Sequence, residues 1–454
     1  MIDLLARAAA ATPDQVAVVT DRGAATYAEL AADAAAVSAA LTALGVDRVA
    51  VVESDARLVL ALLAGAAAAG VEACQYQPDL DPDEFAGQAT SNGHVLVLTR
   101  RTDLAGHLID PEQLVDARPP STADVAGSAA QYLVILTTGS TGRPKAARHD
   151  WRVLASRFDG AQAAPAQRWL LAYGLHQFAG IQVLLHVLAT GGTLVAPFPR
   201  QPRDGLRALA ELGVDAVSAT PTYWRFLLAQ ARAEAVQIPP LSQITLGGEA
   251  APAALLAQLG ELFPAARITH VYASTELGSI LAVNDGQAGF AASLLLTPER
   301  PEARFKIVDG ELWVRGSAGM IGYLDDAAQA VVADGPWRAT GDLVEIVADR
   351  VHFRGRDSEV INVGGVKVHP LPVEERVGAV AGVAMVRVYG RANKLTGAIV
   401  AAELVLSEGA SEDDVRAGVR DAVADLPRAW QPRNLQFVEQ IKTVGSKTIR
   451  RVEA

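Results

Sequence analysis

The chain has 454 residues, half of them hydrophobic and a fifth charged, with a formal net charge of -11. That length exceeds one hydrophobic core, so two or three domains are expected, and the apolar share excludes a disordered chain. The acidic balance argues against a nucleic-acid-binding role, although a local basic cluster can still receive an anion. The single cysteine, Cys74, excludes an intramolecular disulfide or a cysteine metal cluster and reads as a buried small hydrophobe. The histidines show no zinc-ligand spacing. The N-terminus carries Asp3 and Arg7 within its apolar run, unlike a signal peptide, and the Leu58–Val71 run is too short and alanine-rich to span a bilayer. The expectation is a soluble cytoplasmic protein with no membrane partner.

In chain order, Thr26-Tyr27-Ala28-Glu29-Leu30 begins a helix that runs to about Leu44, and Arg48–Val52 reads as a buried strand. Leu58–Ala69 is a helix ended by Gly70, and Gly93–Leu98 a further strand. Residues 111–130, rich in Pro, Ala and Ser, read as a connecting loop. Trp169–Tyr173, Thr193–Ala196, Asp215–Ala219 and Gln243–Leu246 read as core strands, with Phe178–Ala189 a helix among them. Such alternation predicts a parallel sheet with helices on both faces. Glu302–Arg315 reads as β structure with a hairpin at Asp309-Gly310. Strands at Val383–Tyr389 and Ala398–Leu406 and a helix near Glu412–Ala424 form a separate unit after about Arg356. The boundary is placed at Gly355–Glu359, giving domains 1–355 and 356–454.

The stretch Leu136–Lys145, LTTGSTGRPK, follows the strand-like run Tyr132–Leu136. Gly139 and Gly142 permit a tight backbone bend, and Thr137, Thr138, Ser140 and Thr141 add hydroxyl groups. Lys145 adds a positive charge. Turned N–H groups, hydroxyls and a lysine suit a polyphosphate, although no P-loop pattern is present.

Later segments occur in a fixed order: Leu246-Gly247-Gly248-Glu249-Ala250, then Val271-Tyr272-Ala273-Ser274-Thr275-Glu276, then Thr340-Gly341-Asp342, then Phe353–Gly365, and Lys447 in Val444–Arg451. With the hydroxyl loop, this series resembles the adenylate-forming superfamily of acyl- and aryl-CoA synthetases, peptide-synthetase adenylation domains and luciferases. The resemblance runs from Thr26 to the C-terminal motif. It implies an α/β fold (α+β overall), with layered sheets in a large N-terminal domain and a small mobile C-terminal α+β domain. It implies ATP and Mg²⁺, and an acceptor thiol of CoA or a carrier-protein pantetheine. It places Gly248, Glu249, Ala250 and Tyr272 beside the adenine, Thr275 at the α-phosphate, Glu276 on Mg²⁺, and Asp342 and Arg356 at the ribose or phosphate. Gly247 and Ala273, the latter where relatives carry glycine, would border the acyl pocket. Lys447 matches the family's catalytic lysine and Lys145 would hold pyrophosphate. Ser358, between Asp357 and Glu359, stands where relatives place the hinge pivot.

Amino-acid-activating relatives carry an aspartate in the segment that reads Gly174–Gly180 here, and this chain has none. An aryl or cinnamate-like acid is therefore expected rather than an α-amino acid. His176 falls where aryl-CoA ligases place a histidine, with a half-buried helix-capping residue as the alternative. Trp224 would wall an aromatic pocket or pack a helix. Three functions stay open: an acid–thiol ligase, a relative that adenylates another oxyanion such as nitrite for transfer to an aryl amine, and a nucleotide-binding protein without catalysis.

Overall fold

The computed structural model describes residues 1–116, 131–137, 144–296, 304–315, 319–324, 337–441, 443–444, 447–448 and 450. The expected helix after Thr26 is Tyr27–Leu44. The Thr26 hydroxyl accepts from the Glu29 N–H while Glu29 accepts from the Thr26 N–H, a reciprocal cap, and Gly45 ends the helix in the left-handed conformation. Among the described residues this is the helix long and apolar enough to cross a membrane by length and composition. Within the fold it is a core element: the Tyr27 hydroxyl reaches the carbonyls of Val187 and Gly192.

Two sheets dominate the first 324 residues. One has the order Gly278–Val283, Arg267–Ser274, Gln243–Gly247, Ala216–Ala219, Arg168–Leu171, Thr193–Val195, Val16–Thr20, Gly23–Thr26. Its interior pairs are parallel and its two end pairs antiparallel. The other runs Gly322–Tyr323, Lys145–Asp150, Tyr132–Thr137, Glu72–Gln75, Arg48–Val52, Leu96–Thr99, His107–Ile109. The nearly all-apolar helix Ala56–Ala69 packs in the same core as Phe178–Thr190. Burial on all sides explains why neither helix shows a clean polar face. A third, antiparallel sheet holds Phe305–Val308, Glu311–Val314, Arg338–Val347, Arg350–Arg356 and Phe290–Ala291. Its hairpin turns at Asp309 and Gly310, both at positive φ, as the sequence predicts. The 3₁₀ turn Asp357–Glu359 separates this sheet from the last one, where Val383–Asn393 pairs with Gly397–Leu406. That unit has its own core around Val373, Val388 and Val415.

Several expectations are corrected. Pro111–Asp116 is a helix, not loop, and residues 117–130 lie outside the described residues. The strand expected from Gly93 begins at Leu96. Gly93 instead caps the helix Pro82–Asn92 at φ 70, and the His94 N–H closes the cap on the Ala89 carbonyl. The parallel strands fall into two sheets, in keeping with the layered sheets that the resemblance implies, although the local alternation of strands and helices does not encode the partition.

His94, His149 and His186 are each pushed down to about 4, chiefly by burial. The unfolded chain therefore binds protons between pH 6.5 and 4 that the folded chain does not. Stability rises with pH wherever the unfolded state holds more protons. It should accordingly be complete above about pH 6.5 and fall as pH drops toward 4. Urea midpoints measured across that range check this, and His149→Met should flatten the slope; a flat midpoint in the native chain would contradict it.

Candidate active site

The hydroxyl loop leaves the strand Tyr132–Thr137 and returns as Lys145–Asp150, with Thr137 opposite Lys145 on the ladder. Thr138, Gly139, Ser140, Thr141 and Gly142 lie outside the described residues. Both ends of the loop are thus pinned one ladder step apart. The Lys145 Nζ stands 5.2 Å from the ring centroid of Tyr323. Tyr323 belongs to the short edge strand paired with Lys145–Asp150, and its hydroxyl donates to the Glu276 Oε1 at 3.2 Å. No motif in the sequence points to Tyr323; only strand pairing brings it between Lys145 and Glu276.

Thr275 and Glu276 occupy the turn between the antiparallel strands Arg267–Ser274 and Gly278–Val283. The Ser274 hydroxyl accepts from the Leu277 N–H and tightens that turn. Ahead of it on the strand, Tyr272 packs on Phe353 with ring centroids 5.0 Å apart. The Tyr272 hydroxyl donates to the Asp342 Oδ2 at 2.5 Å, and the Arg356 Nε donates to Oδ1 at 3.1 Å. Asp342 and Arg356 face each other on neighbouring strands of the third sheet. Burial works against the Arg356 charge, but Asp342, with Tyr272 and Glu276 as further contributors, holds its pKa above the ordinary value. Burial, then the Asp342 carboxylate, pushes the Tyr272 phenol up, so it remains a donor.

Gly248 adopts φ 83 after the strand Gln243–Gly247, and Gly247 accepts a hydrogen bond from the Tyr173 hydroxyl at 3.1 Å. Glu249 does not project free: its Oε2 accepts from the Thr222 N–H at the start of the helix Pro221–Ala233. Ala250 is exposed beside it. His176 is half-buried in the turn before the helix Phe178–Thr190. Its ring lies so close over Gly174 that an added Cβ there would sit 2.2 Å from it, which explains the glycine. Burial first, then Arg200, pushes His176 down to about 4, so it is neutral at physiological pH.

Trp224 is a correction. It is fully buried and packs against Phe263 in the core beneath the first sheet, so it does not wall the crevice. Its large apolar surface, on the inward face of Pro221–Ala233, gains more from that core than from a polar rim. The Lys447 side chain lies outside the described residues, but its backbone forms a hairpin with Thr443–Val444 near the helix Pro221–Ala233. Three residues on, Arg450 makes two bonds to Glu374, at 2.7 and 2.8 Å. Burial opposes its charge, but Glu374, with Glu249 and Glu359, raises its pKa above the ordinary value. Arg450 therefore ties the end of the C-terminal hairpin to the helix Pro370–Gly378.

The family model described as "AMP-binding enzyme" matches residues 5–324, and that described as "AMP-binding enzyme C-terminal domain" matches residues 372–447. The chain belongs to the AMP-binding enzyme family. This is the adenylate-forming superfamily that the motif series resembles. A feruloyl-CoA synthase of Amycolatopsis is 27% identical over 98% of this chain and 96% of its own length. A 3-[(3aS,4S,7aS)-7a-methyl-1,5-dioxo-octahydro-1H-inden-4-yl]propanoyl:CoA ligase of Mycobacterium tuberculosis is 28% identical over 67% of this chain. The chain spans 62% of that ligase's length, and 33% and 54% of two further curated relatives. The crystal structure of the anthranilate CoA ligase AuaEII superposes with a TM-score of 0.82, covering 99% of this chain and 95% of that one. At 18% identity that likeness establishes the α/β fold with its large N-terminal and small C-terminal domains.

Removing the carboxylate at 342 strands two donors at once. Asp342→Ala should weaken ATP binding by about tenfold to a hundredfold, as expected for lost charge-assisted hydrogen bonds. Asp342→Asn, which retains one acceptor oxygen, should weaken it less. Nucleotide titration of the folded variants checks the order; equal affinities would refute the placement.

Proposed function

We propose that this protein uses ATP to activate a carboxylic acid as its acyl-AMP and then passes the acyl group to a thiol of CoA or a carrier-protein pantetheine. The observation that carries this reading is the meeting of three sheets at one crevice: Lys145 and Tyr323 from one, Thr275 and Glu276 from another, Asp342 and Arg356 from the third. The family's ligases act on acids and thiols, and the feruloyl-CoA synthase spans nearly this whole chain.

In the first step a carboxylate oxygen attacks the α-phosphorus of ATP. A phosphorus–oxygen bond breaks and pyrophosphate leaves with its electron pair. The nucleophile is already ionised, so positioning and charge stabilisation carry the rate. A carboxylate offers about four acceptor sites. Tyr272 and Arg356 occupy two on Asp342, which leaves capacity for the two ribose hydroxyls. The Tyr272 ring, backed by Phe353, faces the adenine, with the Gly247–Ala250 turn alongside. Lys145 and the hydroxyl loop hold the departing pyrophosphate, Thr275 meets the α-phosphate, and Lys447 bridges the reacting oxygens. Glu276 is the residue that would hold Mg²⁺, because one protein carboxylate beside phosphates matches the usual donor set of that ion. Bound there, the ion would offset phosphate charge. His176, neutral, offers a hydrogen bond to the acid without adding a cation.

In the second step the thiol sulfur attacks the acyl carbon, AMP leaves, and the thiol proton passes to solvent. We place the division between domains at residues 355–359. Gly355 at φ 114 and the 3₁₀ turn that follows supply a short pivot, and Ser358 lies at its centre. Rotation there would carry the Lys447 hairpin away and open the path past Gly364 and Gly365. ATP and a reduced thiol acceptor fit a cytoplasmic setting.

ATP–pyrophosphate exchange with a panel of aryl and fatty acids tests the reading; no exchange with any acid would overturn it. Lys447→Ala should abolish exchange while sparing thioester formation from supplied acyl-AMP. Equal loss of both half-reactions would contradict its role. Glu276→Ala should raise the Mg²⁺ concentration needed for half-maximal exchange, and an unchanged titration would count against it.

A further inference from the structure

The stretch Gly319–Leu324 belongs to none of the motifs, yet it is fastened to two walls of the crevice at once. The Ile321 N–H donates to the Arg148 carbonyl at 2.7 Å, and the Leu324 N–H to the Ala146 carbonyl at 2.9 Å. These bonds, with the pairs Gly322–Arg148 and Tyr323–Ala147, attach it to the strand that begins at Lys145. Leu324 packs with Val134 and Ala146 in one core. One residue before Ile321 the attachment changes wall. The Met320 N–H donates to the Glu276 carbonyl at 3.0 Å, and the Met320 side chain is buried. Gly319 lies so near the same carbonyl that an added Cβ would stand 2.5 Å from its oxygen. So close an approach calls for a residue without a Cβ. The side chain of Tyr323 repeats the arrangement, with its hydroxyl 3.2 Å from the Glu276 Oε1 and its ring centroid 5.2 Å from the Lys145 Nζ. Glu276 is thus held by its main chain and by its carboxylate from one short stretch, and the same stretch meets Lys145.

We propose that Gly319–Leu324 is a clamp that fixes Glu276 relative to Lys145, and that Tyr323 is a positioning residue for both. The inference rests on the adenylation reading above and deepens it. The phenol acts on one side. Its hydrogen bond to Oε1 restricts the Glu276 carboxylate and leaves Oε2 for a cation. A donor of this kind orients a metal ligand, and metal sites depend on such outer partners nearly as much as on the ligands themselves. The ring acts on the other side. Lys145 is exposed, and a free lysine side chain samples many rotamers. An aromatic face attracts an ammonium group and so favours the rotamers that keep Lys145 beside it. The two contacts use different parts of one residue, so substitution separates them. Phenylalanine keeps the face and removes the phenol; leucine removes both.

The test uses the full chain with Tyr323→Phe, Tyr323→Leu and Glu276→Gln. ATP is titrated without any acid at stepped Mg²⁺ concentrations, and inorganic pyrophosphate is titrated at saturating Mg²⁺. Tyr323→Phe should raise the Mg²⁺ concentration needed for half-maximal ATP binding about tenfold and leave pyrophosphate affinity as it is. Tyr323→Leu should raise it as much and also weaken pyrophosphate binding about two- to fivefold. In the Glu276→Gln background, Tyr323→Phe should add nothing to the Mg²⁺ requirement, because the phenol acts through that carboxylate. An unchanged Mg²⁺ titration in Tyr323→Phe overturns the clamp, and so does a shift that persists in full in the Glu276→Gln background. Equal loss of both affinities in Tyr323→Phe and Tyr323→Leu marks a general loosening and also overturns it. ATP–pyrophosphate exchange is run beside the titrations. The expected shifts without exchange for any acid leave the clamp standing and overturn adenylation, whereas exchange with no shift does the reverse.

Discussion

The Asp342 carboxylate is the joint on which the crevice depends. It accepts from Tyr272 of the first sheet and from Arg356 of its own, so one charged group ties two sheets through short, charge-assisted bonds. Tyr272 has its ring held by Phe353, and Arg356 is the last residue before the 3₁₀ turn that leads to the C-terminal unit. The same contact therefore fixes a flat aromatic face, aims two acceptor oxygens, and anchors the chain where the small domain departs.

A second joint lies on the opposite wall. The Tyr323 ring sits beneath the Lys145 ammonium while its hydroxyl holds the Glu276 carboxylate. One aromatic residue thus touches both a cation and a carboxylate. The C-terminal unit contributes a buried anchor, Arg450 on Glu374, three residues after Lys447. A lysine on a two-residue strand has little rigidity of its own, and the neighbouring ion pair supplies some.

The motifs for the crevice were legible because each carries local chemistry: glycines where φ is positive, as at Gly248, and acids or hydroxyls at turns, as at Thr275 and Glu276. Helix starts were equally legible at Thr26, where cap and periodicity agree. Trp224 misled because an aromatic residue on a helix reads the same whether it faces a cavity or a core.

From the order of residues alone came the α/β character, the succession of strands and helices, the separate C-terminal unit, and the family to which the chain belongs. Those follow from backbone preference and short motifs, which act over a few residues. Only the tertiary structure decided that the parallel strands divide into two sheets, that Tyr323 stands between Lys145 and Glu276, and that Asp342 serves Tyr272 and Arg356 together. Each of these is a pairing between segments far apart in the chain, chosen by which faces can be buried against each other, and no local stretch contains that information.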